Sequence, residues 1–276
     1  MTNIPRTYPH GVSCWIDTEQ PDTAAARNFY GKLLGWTFTS VMPDDAPSSY
    51  FIAQLDGQDV AAIGSRANGG SSAWNTYFAV TDADSSAATV AEAGGMVTSP
   101  PEDAGPGGRT ATCRDPQGAE FRLWQPYRRL GAQVVNTPGA WNFSDLLTTN
   151  REAAESFYTE VFGWTYLAFG PGFGGMIAVP GYGQHLAATA DPDIFARQSD
   201  APPGFADVIG NMSAADTDAP HWQVTVSVAD RDDSAARAES LGATILRSFE
   251  HTWAALVTIR DPQGAELVLS EFRAPA

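Results

Sequence analysis

Two periodicities take turns along this chain. Residues 12–17 read as a short strand, and Trp36, Phe38 and Ser40 alternate as another begins; between them Phe29, Leu33 and Leu34 fall on one face of a helix ending near Leu33. Asp22 or Thr23 caps that helix and Gly35 stops it. The pattern then returns, with Asn150 as cap, a helix over residues 152–161, Gly163 as stop, and Trp164, Tyr166 and Ala168 alternating in a strand. Further strands are predicted at 50–55 and 60–65, with Gly57 in the turn, and at 75–80. In that last strand Thr76, Phe78 and Val80 share one face and Asn75, Tyr77 and Ala79 the other; the later copy sets Val224, Val226 and Val228 opposite Gln223, Thr225 and Ser227. The valine face is predicted to pack on a helix. Second helices follow at 84–93 and 232–241, stopped by Gly94 and Gly242. The closing strands are 109–113 with 121–125, and 255–259 with 267–271.

The recurrence is an internal duplication. RDPQGAE stands at 114–120 and again at 260–266, and Phe29, Tyr30, Gly35 and Trp36 return in order as Phe157, Tyr158, Gly163 and Trp164. Two modules of ~130 residues follow: 1–130 with an N-terminal arm, a linker at 131–139, and 140–276. Each module reads β, α, β, β, β, then α, β, β, or two βαβββ units. RDPQGAE itself reads as hairpin chemistry: Pro116 or Pro262 fixes one turn dihedral, and Gly118 or Gly264 permits the left-handed step. The copies differ most after Ala188, where a segment at 189–220 has no equal in the first module; its length reads as a lid over a pocket or a solvent-exposed excursion.

Composition narrows the function. The net charge of −16 repels phosphate backbones and anionic lipid, so nucleic acid and membrane are excluded as partners, and no apolar run is long enough to span a bilayer. With no leader recognisable in the first ten residues, a cytoplasmic protein is expected, as a monomer or homodimer. Cys14 and Cys113 sit in apolar runs and read as small buried hydrophobes. The glycine-rich stretches 105–108 and 170–175 do not join a strand to a helix, so no phosphate loop is expected.

The paired βαβββ pattern, the helix ending FYGKLLGW or FYTEVFGW, and the DPQGAE turn resemble the glyoxalase, bleomycin-resistance and extradiol-dioxygenase superfamily, also called vicinal oxygen chelate proteins. The resemblance covers about 10–272. It implies an α+β fold of two tandem modules, each an open curved mixed sheet with helices on the convex face. Strand parity then names the residues facing each hollow: Trp15, Asp17, Asn75, Tyr77, Glu120, Arg122 and Trp124 in the first module, and Phe143, Asp145, Gln223, Thr225, Glu266, Val268 and Ser270 in the second. Rings mixed with a few polar groups suit a small, partly apolar ligand.

Enzymatic members of the superfamily hold a divalent ion, and the resemblance carries those ligand positions to Trp15, Asn75 and Arg122 in one copy and to Phe143, Gln223 and Val268 in the other. Indole, phenyl and valine side chains offer no useful lone pair and a guanidinium repels a cation, so no metal or other cofactor is expected. Asp17 and Asp145 are candidate proton acceptors or structural carboxylates, and Arg122 suits an anionic or phenolate ligand or an internal ion pair. His185, read as replacing Asp59 in a strand, is a third candidate. Two readings remain: a metal-independent binder of an aromatic or hydrophobic metabolite or antibiotic, extended to a metal-free biosynthetic conversion, and a metal-dependent glyoxalase-like lyase or ring-cleaving dioxygenase.

Overall fold

Gly35 and Gly163 end their helices with the backbone in the left-handed region, at φ 77° and 70°, and each helix opens on a side-chain cap: Asp22 accepts from the N–H groups of Ala24 and Ala25, and Asn150 from that of Ala153. From these signals the chain builds the same order twice. In a computed structural model that describes residues 4–43, 45–66, 72–168, 175–215 and 219–273, the first module runs β1 (Ser13–Gln20), α1 (Thr23–Leu34), β2 (Thr37–Ser40), β3 (Tyr50–Leu55), β4 (Gln58–Ser65), β5 (Ala73–Ala79), α2 (Ala83–Glu92), β6 (Met96–Asp103), β7 (Gly108–Arg114) and β8 (Glu120–Pro126). The second runs β9 (Trp141–Thr148), α3 (Arg151–Phe162), β10 (Thr165–Leu167), β11 (Gly175–Ala178), α4 (Tyr182–Ala188), α5 (Ile194–Arg197), a 3₁₀ turn (Phe205–Asp207), β12 (Val208–Ala214), β13 (His221–Ser227), α6 (Arg231–Ser240), β14 (Thr244–His251), β15 (Ala254–Arg260) and β16 (Glu266–Phe272).

Two eight-stranded mixed sheets result, in the order β2-β3-β4-β1-β5-β8-β7-β6 and β10-β11-β12-β9-β13-β16-β15-β14. Each is two βαβββ units, with parallel pairings such as β1 with β4 and antiparallel hairpins such as β7 with β8. Strands β6 and β14 complete the second unit of each module and are absent from the strand-by-strand reading of the sequence. Both are edge strands with the same mostly exposed pattern, so neither shows the alternation of a half-buried strand, and Pro100 and Pro101 fit in β6 because an edge lacks one ladder.

The segment read as an insertion at 189–220 is also placed differently. Val208–Ala214 is a sheet strand that pairs with β9 as β4 pairs with β1, so the extra chain lies between β11 and β12 and includes α4. His185 is therefore a helix residue rather than the strand counterpart of Asp59. The glycine-rich stretch 170–174 lies outside the described residues.

The compact units do not coincide with the repeats. One gathers Met1–Cys14, Thr76–Gly131 and Ser144–Trp222, and the other Trp15–Asn75, Ala132–Phe143 and Gln223–Ala276. Inside the first, Tyr158 stacks on Trp164 with centroids 4.8 Å apart, and Phe78, Phe121, Phe162 and Trp222 close round them. Inside the second, Tyr30 stacks on Trp36 at 5.8 Å and meets Trp74 edge-on. Burying each ring contributes about 1.5–3 kcal/mol, enough to make these clusters the centres of their units.

The repeated turn supplies the polar lock of each unit. Gly118 and Gly264 sit at φ 101° and 103°, closing the predicted hairpins. Asp115, 3% exposed, accepts from the N–H groups of Gln117 and Ala119 and from the Tyr158 hydroxyl at 3.2 Å. Asp261, 5% exposed, repeats this with Gln263, Ala265 and the Tyr30 hydroxyl at 2.7 Å, and takes a further bond from Gln20. Gln263 and Gln117 each bond the backbone N–H and C=O of a helix-capping residue, Asp22 and Asn150 respectively. The motif of one module thus grips the first helix of the other. The tryptophans follow the same rule: Trp164 Nε1 donates to Gly11 C=O and Trp36 Nε1 to Gly139 C=O. Both glycines have positive φ, and a Cβ on Gly139 would stand 2.8 Å from Leu34 O.

Both cysteines are buried and free; burial raises both thiols, that of Cys113 to about 12, so neither is a ready nucleophile. No described helix is long and apolar enough to cross a membrane.

Candidate functional site

Position in a strand decides which polar side chains meet. In β1, Trp15 and Asp17 stand two residues apart and so on one face. Asp17 is fully buried, and Tyr50 Oη donates to its Oδ2 at 2.9 Å and Asn75 Nδ2 to its Oδ1 at 2.7 Å. The Tyr50 hydroxyl in turn accepts from Trp15 Nε1 at 3.1 Å. Four side chains from β1, β3 and β5 form one bonded series, three of them expected from the sequence. Tyr50 was missed; its place at the start of a predicted strand gives no sign of what it faces.

A second group lies on β5 and β8, where Tyr77 and Arg122 are register partners. Arg122 donates to the Tyr77 hydroxyl at 2.7 Å with its guanidinium 5.4 Å from the ring centroid, and Trp124 meets Tyr77 edge-on at 6.3 Å. Trp124 Nε1 is spent on Arg129 C=O at 2.9 Å. Tyr77, Arg122 and Trp124 are thus brought together as expected.

The second module departs from this pattern. Thr225 and Val268 are register partners, both buried, in the places that Tyr77 and Arg122 take in the first module. Phe143 and Gln223 are half-buried on β9 and β13. Glu266 is exposed and its charge is met by Arg260 at 2.7 Å across the hairpin, as Glu120 is met by Arg114 at 3.1 Å. His185 Nε2 lies 3.0 Å from Thr7 Oγ1, and Arg6 donates to Tyr182, so α4 is fastened to the N-terminal arm.

Asp145 takes in β9 the place of Asp17 in β1. Its Oδ1 accepts the Asn211 backbone N–H at 2.8 Å, and no other donor reaches the carboxyl among the described residues. Asn211 Nδ2 donates to Ser213 Oγ at 2.7 Å, while Asn211 Oδ1 is buried with no partner among the described residues. Burial pushes the Asp145 carboxyl up to about 7, against the downward pull of the Asn211 N–H. Asn211 and Ser213 are functional candidates the sequence reading missed, because it placed this strand elsewhere.

No group of three or more His, Cys, Asp or Glu side chains suited to hold a metal ion occurs among the described residues. His221 bonds Ala219 C=O, His251 meets Phe249, and His10 meets Phe162, so these three histidines also stand apart.

Residues 20–123 match the glyoxalase/bleomycin resistance protein/dioxygenase superfamily model, and residues 143–270 match a glyoxalase-like domain. Similar proteins include CFP32 of Mycobacterium bovis, whose name includes glyoxylase, 30% identical with 94% of each chain covered. DnrV of Streptomyces peucetius, named as an anthracycline biosynthesis protein, is 30% identical over 96% of this chain and 95% of its own. Among solved structures, the Mn(II)-bound glyoxalase from Novosphingobium aromaticivorans has a TM-score of 0.61 at 17% identity, covering 95% of this chain and 82% of that one. The 2,3-dioxygenase LapB from Pseudomonas sp. KL28 has a TM-score of 0.58 at 13% identity, covering 96% and 95%.

Proposed function

The chain belongs to the glyoxalase/bleomycin resistance protein/dioxygenase superfamily, and on that premise we propose that it is a metal-independent small-molecule protein of the cytoplasm. It binds an aromatic or hydrophobic metabolite or antibiotic against the rings and amides of its inward strand positions, and any conversion it performs there is metal-free.

The observation that carries this reading is the bonded series Trp15, Tyr50, Asp17 and Asn75. Trp15 and Asn75 stand where the superfamily resemblance puts metal ligands. Here the indole N–H and the amide N–H₂ point at oxygen acceptors, and neither nitrogen has a lone pair to offer. In the other compact unit Arg122, bonded to the Tyr77 hydroxyl, brings a positive charge that opposes a cation beside it. The series of Trp15, Tyr50, Asp17 and Asn75 by itself suits a ring-bearing organic ligand better than an ion. DnrV, named for anthracycline biosynthesis, supports a ligand with fused rings.

Metal analysis of protein purified without chelator, followed by tryptophan-fluorescence titration with 1-naphthol, tests the reading. Metal well below one equivalent, with quenching unaffected by EDTA, is the expected result. A stoichiometric ion of Fe, Zn, Ni or Mn whose removal abolishes binding overturns it in favour of the metal-dependent lyase or dioxygenase.

A further inference from the structure

The two modules hold equivalent carboxyls with different company, and the first shows what the second lacks. Asp17 is served by a phenol, Tyr50 Oη at 2.9 Å, and by an amide N–H₂, Asn75 Nδ2 at 2.7 Å. Around Asp145 the counterpart of β3 is β11, whose described residues Gly175, Met176, Ile177 and Ala178 carry no hydroxyl. The residue beside Asp145 is Asn211, where the first module has Ala62 beside Asp17. Asn211 adds a second acceptor: its Nδ2 donates one hydrogen to Ser213, and its Oδ1 is buried and unmet among the described residues.

Asn211 Oδ1 is a buried acceptor without a donor among the described residues, which folded proteins seldom keep without a use, and the half-buried Asp145 beside it has one backbone N–H on Oδ1. Two neighbouring acceptors, one of them a carboxyl, complement a ligand that donates. Resting on the aromatic-ligand reading above, we propose that Asp145 and Asn211 form a docking point for a phenolic or enolic hydroxyl, which the ligand supplies where the first module uses Tyr50. Asp145 Oδ2 accepts the ligand O–H, Asn211 Oδ1 accepts a second donor or shares the first, and Ser213 holds the Asn211 amide in orientation. The first module's carboxyl is already filled by the chain itself, so the hydroxyl site belongs to the second module alone.

Paired probes test this on the intact protein. At about pH 8, where a carboxyl of pKa about 7 is mostly ionised and a phenol is still protonated, 1-naphthol is expected to bind roughly tenfold more tightly than 1-methoxynaphthalene, the gain of one charge-assisted hydrogen bond. Asp145→Asn is expected to reduce that ratio towards unity. Equal binding of the two compounds by the unaltered protein overturns the inference without recourse to any variant. A preference for the hydroxyl that survives in Asp145→Asn also overturns it, and in both cases the aromatic-ligand reading stands. Failure of the unaltered protein to bind either compound overturns that reading, and the inference with it.

Discussion

Asp17 and Asp145 began as one residue in a duplicated unit and now do opposite things. The first is fully buried, bonded to Tyr50 and Asn75, and part of the framework of its unit. The second keeps one backbone N–H, stands beside another acceptor, and titrates near neutrality because burial disfavours its charge. The two first helices share the stack of a tyrosine on a tryptophan, Tyr30 on Trp36 and Tyr158 on Trp164, so the difference between the carboxyls lies in their own neighbours. One carboxyl is bonded into its unit by side chains, and the other is held by a single backbone N–H among the described residues.

Three measurements break or sharpen that contrast. The largest effect is expected from Asp17→Leu, which removes from a fully buried position the acceptor of Tyr50 and Asn75 and should cost roughly 3–5 kcal/mol in urea unfolding. Asp145→Leu leaves one backbone N–H unmet and should cost less, about 1–2 kcal/mol. Equal losses would show that the two carboxyls are not distinct in kind.

The next effect is in pH. The folded pKa of Asp145, about 7, lies above the ordinary 3.8, so between those values the folded chain holds a proton that the unfolded chain releases. Stability from this group is therefore complete below about pH 4, is lost as pH rises towards 7, and is constant beyond. Relative to Asp145→Asn, the unaltered protein should lose roughly 1–3 kcal/mol across that window, with part of the full shift screened by solvent. A flat difference between the two proteins over pH 4–8 would sink the assignment.

The smallest effect belongs to Glu266→Gln. The exposed pair with Arg260 contributes little, so a change within roughly 0.5 kcal/mol, and no change in 1-naphthol affinity, is expected. A marked loss of binding would bring Glu266 into the ligand site after all.

Local signals made much of the fold readable: capping residues at Asp22 and Asn150, left-handed stops at Gly35 and Gly163, and the DPQG turns all act within a few residues of chain. The edge strands β6 and β14 were not readable, because a strand exposed on both faces has no alternation to show. Tyr182–Ala188 misled for another reason. Seven residues of mixed polarity favour neither a helix nor a strand, and their side chains and backbone meet partners far away in sequence, Arg6, Thr7 and Asp207. At the candidate site, parity identified Trp15, Asp17 and Asn75, and Tyr77 with Arg122 and Trp124, yet it could not say that Tyr50 would satisfy Asp17. That bond depends on the register of β3 against β4, which no local pattern encodes.

The exchange of grips between the repeats also limits how this protein can be taken apart. A gene cut at the midpoint would give two polypeptides, each with an aspartate turn whose tyrosine lies on the other fragment and a tryptophan whose carbonyl does too. Neither fragment is a self-sufficient ancestor. A half-length forebear carrying these motifs would have needed a sister copy of itself to complete them, whereas one chain holds both copies in fixed stoichiometry.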